Sequence, residues 1–434
     1  MAETLITDTA AEPAVRSGAK PVRDGLEATL DIETGALLRE ASVSPAAELL
    51  RVRAFETPPA PRFAAPVAHL QPRPDAPRTA LIHYWLVGMR GGERVLERLI
   101  SLYPDADIFT HVYDPNAVSD IIRQRKVQTT FIQKLPASRR LYQKYLPLMP
   151  LALEQLDLRG YDLILSSESG PAKGVITPPN SLHVCYCHSP MRYLWDHYTD
   201  YLRSAGPLSK LCMPWLAHGL REWDYVSAGR VDRFIANSNF IRQRIEKAYR
   251  RPSTVVYPPV DVSLYRAADQ IEARYLWVGQ MTAYKRPDLA VDAFNELGLP
   301  LLMIGQGEML PELSRRAKPN IQIVPRVTFD ELRKAYAQCR ALVFTAEEDF
   351  GMVPVEAMAS GRPVLACGRG GVIDTVAPGV TGLFFEAQTK ESLIAGVEAM
   401  ERWLPTFDPA DAILNAGRFS PEQFDEGVRA VVAA

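Results

Sequence analysis

Two glutamates bracket a glycine turn in the run Ala346 to Val364, AEEDFGMVPVEAMASGRPV. The apolar stretch before it reads as a strand that ends in an acidic loop. Gly351 permits a tight turn, and a helix is expected from about Met352. Pro354 is tolerated in its first turn, and Gly361 suits its end. The backbone N–H groups of Gly351, Met352 and Val353 would then form an anion cradle that fits a diphosphate. Glu348 lies before the turn and Glu356 one helical turn inside, so the carboxylates flank the anion rather than share a proton. Each can accept hydroxyl hydrogen bonds, one set from a sugar at either end. Lys285 and Arg286 follow another strand, YLWVG, and precede a helix opened by Pro287. They would add positive charge to the same anion. Gly305 and Gly307 mark a further strand-to-helix turn.

The first half holds a second set of candidates. Gly91 and Gly92 open a helix after the buried strand TALIHYWLVG and let backbone approach a ligand closely. His188 stands at the C-terminal edge of the strand SLHVCYC, where a cleft residue belongs, and the strand breaks at Pro190. Arg192, Tyr193, Trp195 and Asp196 would shape an acceptor pocket, with Lys173 as a candidate for an acceptor phosphate. Cys185 and Cys187 beside His188 suggest metal only weakly. No second cysteine pair follows, so core packing is expected and no metal. From Ile121 to Pro150 there are seven basic residues and no acids, interleaved with aromatic and aliphatic ones. That mixture, Arg139, Arg140 and Lys144 included, suits an anionic membrane surface.

These residues need a scaffold. The chain has 434 residues, 47% hydrophobic and 23% charged, with a formal net charge of −2. A near-neutral balance argues against a nucleic-acid partner. No apolar run approaches the roughly 20 residues that span a bilayer, and the N-terminus lacks a secretory pattern. Five cysteines suit a reducing compartment. Seven of the 21 residues from Thr57 to Pro77 are proline, so positions 1–78 read as a disordered extension with at most a short helix over Leu26–Leu50. Beyond it, strands alternate with helices, the pattern of parallel α/β sheets. Two α/β domains are expected, 79–262 on the acceptor side and 263–434 on the donor side, with the final helix free to cross back. Ligands of such sheets bind outside the strand C-termini, so two facing domains would make a cleft.

The ordered series VGQMTAYKRPDLAVDAF, LPLLMIGQGE, Glu348-Asp-Phe-Gly-Met-Val-Pro-Val-Glu356 and RGGVIDTVAPGVTGLFF resembles the retaining glycosyltransferases of family 4, which have the two-Rossmann GT-B fold. The resemblance covers about Leu81 to Phe385. It implies that Glu356 holds the ribose hydroxyls, Glu348 the transferred sugar, and Lys285 the diphosphate leaving group. Gly351, Met352 and Val353 would supply backbone donors. The loop of Gly91 and Gly92 would close over the diphosphate or meet the acceptor, and His188 would face the reacting sugar. Many members carry Arg where this chain has Gln280 after Gly279, which weakens the expected phosphate clamp; Arg286 is the candidate to compensate.

The AEEDFG run and YCHSPMRYLWD look most similar to bacterial exopolysaccharide and O-antigen mannosyltransferases of the xanthan and acetan type. That likeness implies GDP-mannose as donor and a polyprenyl-diphosphate-linked oligosaccharide as acceptor. It also implies a cytoplasmic protein peripheral to the inner membrane, with no metal or other cofactor. The residues themselves leave GDP or UDP, and mannose or glucose, open. Rival readings are a nucleotide-sugar epimerase or phosphorylase on the same fold, and a catalytically silent scaffold.

Overall fold

A computed structural model describes residues 77–434. The extension read over 1–78, with its candidate helix, lies outside the described residues as far as position 76. The rest builds two parallel sheets. The first contains β1 (Thr79–His83), β2 (Asp107–Thr110), β3 (Val127–Thr129), β4 (Leu163–Glu168), β5 (Leu182–Cys187), β6 (Arg233–Ala236) and β7 (Ser253–Val255), in the order β3-β2-β1-β4-β5-β6-β7. The second contains β8 (Tyr275–Val278), β9 (Leu301–Ile304), β10 (Ile321–Val324), β11 (Leu342–Phe344), β12 (Val364–Cys367) and β13 (Gly382–Phe385), ordered β10-β9-β8-β11-β12-β13.

The strands are short, apolar runs because both of their faces are covered. Side chains alternate between two cores. Leu81, Leu163 and Leu165 enter one, while Ile82 and Ile164 enter the other. In the second sheet Tyr275, Trp277 and Met303 face one core, and Leu276 and Leu302 the opposite one. Helix Pro421–Ala433 belongs to the first sheet's core, through Phe424, Val428 and Val431. Two contacts hold it there. Arg98 forks onto Asp425 at 2.7 and 2.8 Å, and Arg233 donates to the carbonyl of Val431. The first domain is therefore completed by the end of the chain.

Each sheet reverses its winding once, between β1 and β4 and between β8 and β11. Ligands of open α/β sheets sit at that crevice. The segments leaving these strands are the ones that carry Gly91–Gly92, Lys285 and Glu348. Strand β1 is shorter than the run read from sequence, because the chain leaves the sheet after His83. The basic segment is no continuous amphipathic helix. It folds as the short turns Phe131–Lys134, Ser138–Leu141 and Tyr142–Leu148. Among the described residues no helix is long and apolar enough to cross a membrane.

Candidate active site

Gly351 adopts φ +88° and caps helix Met352–Ala359 with no side-chain cap. A left-handed residue there turns the chain sharply between loop and helix, a conformation glycine takes without strain. The first N–H groups of any helix have no intrahelical partner, so Met352 and Val353 present free donors and the positive end of the helix dipole. Behind the turn, Gly371 N–H donates to the Glu348 carbonyl at 2.8 Å. A Cβ at Gly371 would lie 2.2 Å from the Asp349 carbonyl oxygen, so this close packing needs glycine.

Lys285 and Glu348 meet, with Nζ 2.6 Å from Oε1. The contact is a close charge pairing between two mostly buried groups. Burial works against the ammonium, yet Glu348 holds the Lys285 pKa above its ordinary value. The stem of Lys285 lies against Gly279, where a Cβ would come within 3.4 Å of its Cδ. A buried relay fixes the backbone there. The Trp277 indole N–H donates to Thr345 Oγ1 at 3.1 Å, and the Thr345 hydroxyl donates to the Lys285 carbonyl at 2.7 Å. Neither residue carries a local sequence signal.

Glu356 is oriented from behind. The Tyr336 hydroxyl donates to its Oε2 at 2.7 Å. Burial, then the charge of Glu356, pushes that phenol well above its usual pKa and keeps it a donor. Gly305 and Gly307 act through the backbone. A Cβ at Gly305 would fall 1.8 Å from the Gly279 carbonyl oxygen, and one at Gly307 would fall 2.3 Å from that of Met281. They let two loops touch and so shape the strand end that carries Lys285. Gln280 is exposed. Arg286 does not join the Lys285–Glu348 pair. Its guanidinium is held by Asp288 at 3.0 Å and by the Gln388 carbonyl at 3.2 Å.

The first domain meets this site at its glycine loop. A Cβ at Gly91 would be 3.3 Å from Met352 Sδ, and one at Gly92 would press on the Tyr84 hydroxyl and sit 3.6 Å from His188 Nε2. Gly91 and Gly92 therefore connect His188 to the helix N-terminus across the cleft. His188 Nε2 pairs with Ser167 Oγ at 2.9 Å, and Ser167 Oγ with His83 Nδ1 at 3.1 Å. His83 Nε2 lies 3.7 Å from Glu93 Oε1. Glu93 also accepts from the Arg90 N–H at 2.8 Å, capping the helix that Gly91 opens. Burial, reinforced by His83, pushes His188 down to about 3. It is a neutral imidazole suited to orienting hydroxyls.

Burial likewise depresses His111 and His183 to about 4. The folded state thus refuses protons that the unfolded chain takes up below its ordinary value of 6.5. Stability should fall as pH drops from about 6.5 to about 4. Urea midpoints measured across that range should decline, and a flat profile would contradict these burials.

The acceptor candidates divide. Tyr193 and Trp195 turn their polar ends inward, to Met191 Sδ at 2.9 Å and to Asp224 at 2.7 Å. Arg192 and Asp196 belong to an ionic bridge between domains. Asp349, in the acidic loop, pairs with Arg192 and, at 3.0 Å, with Arg244. Arg244 also pairs with Asp196 and reaches Ser189 Oγ at 2.9 Å. Asp374 adds a second bridge, accepting from the Asn239 backbone at 2.6 Å. Asp349 and Arg244 escaped the sequence reading, being 105 positions apart.

Lys173 is corrected outright. It is 0% exposed, 2.7 Å from Glu168 Oε1 and paired with Asp224, so no acceptor can reach it. Cys185 and Cys187 are buried, free thiols in a core cluster. Among the described residues no group of three His, Cys, Asp or Glu side chains is arranged to hold a metal.

Two Rossmann-like domains, bridged so that their switch points share one cleft, define the GT-B class. Each half also matches a family model by sequence. Residues 89–264 match the family described as Glycosyltransferase Family 4, and residues 272–402 the family described as Glycosyl transferases group 1. An uncharacterized glycosyltransferase of Methanocaldococcus jannaschii is 29% identical over 168 residues, 37% of this chain and 47% of that protein. A D-inositol 3-phosphate glycosyltransferase of Segniliparus rotundus is 28% identical over 231 residues, 46% of this chain and 51% of its own. The chain spans about half the length of the curated relatives it matches. Anabaena HepE, solved with UDP and glucose, superposes with a TM-score of 0.60 at 16% identity, over 83% of this chain and 100% of that one. The lipopolysaccharide outer core galactosyltransferase WaaB gives 0.59 at 14% identity, over 82% and 99%.

Proposed function

We propose that this chain is a retaining glycosyltransferase. In the first reading it moves mannose from GDP-mannose to a polyprenyl-diphosphate-linked oligosaccharide, in exopolysaccharide or O-antigen assembly. The observation that carries the transferase reading is the Lys285–Glu348 pair, set beside the free amides at Gly351–Val353 with Glu356 anchored one turn on. Departure of a nucleoside diphosphate builds negative charge on its oxygens. Lys285 and the helix N-terminus oppose that charge with donors already in place, which costs no reorganisation. Glu356, with Oε2 held by Tyr336, offers its carboxylate to ribose hydroxyls. Glu348 offers oxygens to the transferred sugar, and neutral His188 orients a sugar or acceptor hydroxyl. The acceptor oxygen attacks from the face the leaving group departs, and its proton passes to the departing phosphate. No metal is assigned to the reaction.

The lipid-linked acceptor rests on the likeness of the AEEDFG and YCHSPMRYLWD segments and on the basic segment at 121–150, whose Arg139, Arg140 and Lys144 are exposed. Both suit a cytoplasmic protein resting on the inner membrane. A UDP-sugar donor is the second reading, favoured by the UDP and UDP-glucose held in the HepE structures. The test is incubation of purified protein with GDP- and UDP-sugars and lipid-linked acceptors, with mass spectrometry of the product. A mannosylated lipid supports the first reading and a product only from UDP-sugars the second. Consumption of nucleotide sugar without a glycosylated acceptor would overturn both.

A further inference from the structure

Helix Pro207–Ser227 buries one side only. Ala217 and Leu220 pack with Met191 and Leu194, and Asp224 is the partner of Lys173. On the opposite side Leu211 is 71% exposed and Trp215 81%, one helical turn apart. Large apolar side chains this open, and contiguous, mark an interaction surface. No acid occurs between Pro207 and Arg221; the first on this side is Glu222, two turns past Trp215 and 3.4 Å from His218.

Leu146, from the basic segment, packs against the same cluster as Ala217 and Leu220. The acid-free stretch 121–150 therefore adjoins this helix. Arg139 and Arg140 line a shallow depression there with Gln133 and Ser138. An apolar stripe carrying an exposed tryptophan, next to a positive surface, complements a bilayer of anionic lipids. A second copy of the chain fits poorly. An isologous contact across the stripe would bring two positive segments toward each other.

We propose that helix Pro207–Ser227 is the membrane-seating element of this protein. Leu211 and Trp215 enter the headgroup boundary of an anionic bilayer, while the 121–150 segment pairs with lipid phosphates. This rests on the lipid-linked-acceptor reading and adds to it the inserted surface, which the basic residues do not supply.

The test uses the full chain and vesicles of equimolar phosphatidylglycerol and phosphatidylcholine, with pure phosphatidylcholine vesicles for comparison. L211S/W215S should lower partitioning onto the anionic vesicles at least about 10-fold. Its thermal midpoint, and any transfer to a water-soluble acceptor analogue, should stay unchanged, because both side chains lie outside the core. If R139Q/R140Q/K144Q loses binding while L211S/W215S keeps it, the inserted surface is wrong and the membrane reading stands. If the parent chain binds no anionic vesicles, both are wrong, whatever its transfer activity. A parent dimer that L211S/W215S dissociates would assign the stripe to a second copy and overturn the proposal.

Discussion

Lys285→Ala should lower kcat by about 10²–10³, the scale of losing one preorganised charge donor to a leaving group. Its Nζ is 2.6 Å from Glu348 Oε1, with its backbone fixed through Thr345 and Trp277. Removing it also strips the Glu348 carboxylate, only 18% exposed, of its closest counter-charge where a diphosphate must sit. KM for the donor should rise as well, because ground-state attraction is lost with the same group. Lys285→Arg should recover part of the rate, since charge survives but the compact ammonium does not. Steady-state kinetics with a saturating acceptor separate these effects. Unchanged kcat in the alanine variant would remove Lys285 from the mechanism.

Lys173→Met should destabilise the first domain by about 3–5 kcal/mol, the cost of stripping the partner from buried charge. Two carboxylates, Glu168 and Asp224, would be left facing one another with no exposure to water. Asp224 also accepts from Trp195 and, at 3.0 Å, from the Tyr249 hydroxyl. The damage would spread to the segment that carries Arg192 and Asp196. Urea unfolding should show a lower midpoint, and thermal unfolding a Tm lowered by roughly 10 °C. The triple variant E168Q/K173M/D224N should regain much of the loss, because it leaves no uncompensated charge. A single variant as stable as the parent would contradict the buried-pair description.

What the sequence could convey follows from locality. Glu348, Gly351 and Glu356 lie on one turn and one helix, so spacing alone sets them around the helix N-terminus. Lys285 was legible because a strand and a proline-opened helix frame it. Strand and helix alternation predicts the two α/β domains, and the paired sheets bear that out. The rest depends on distance along the chain. Tyr336 reaches Glu356 over 20 positions and Thr345 reaches Lys285 over 60, with no periodic pattern to announce either. Lys173 misled for the same reason. A lysine between glycines looks like a loop cation until Asp224, 51 residues away, closes on it. Arg286 has a nearer partner. Asp288, two residues on, holds the guanidinium in the absence of a ligand.

A nucleoside diphosphate should lie across the amides of Gly351–Val353 between two carboxylates. The most direct measurement is a crystal structure of the chain with GDP or UDP. The phosphates should contact those amides and Lys285 Nζ, with the ribose hydroxyls on Glu356. A nucleotide bound elsewhere, or one seated in the cleft with Glu356 turned from the ribose, would contradict the account.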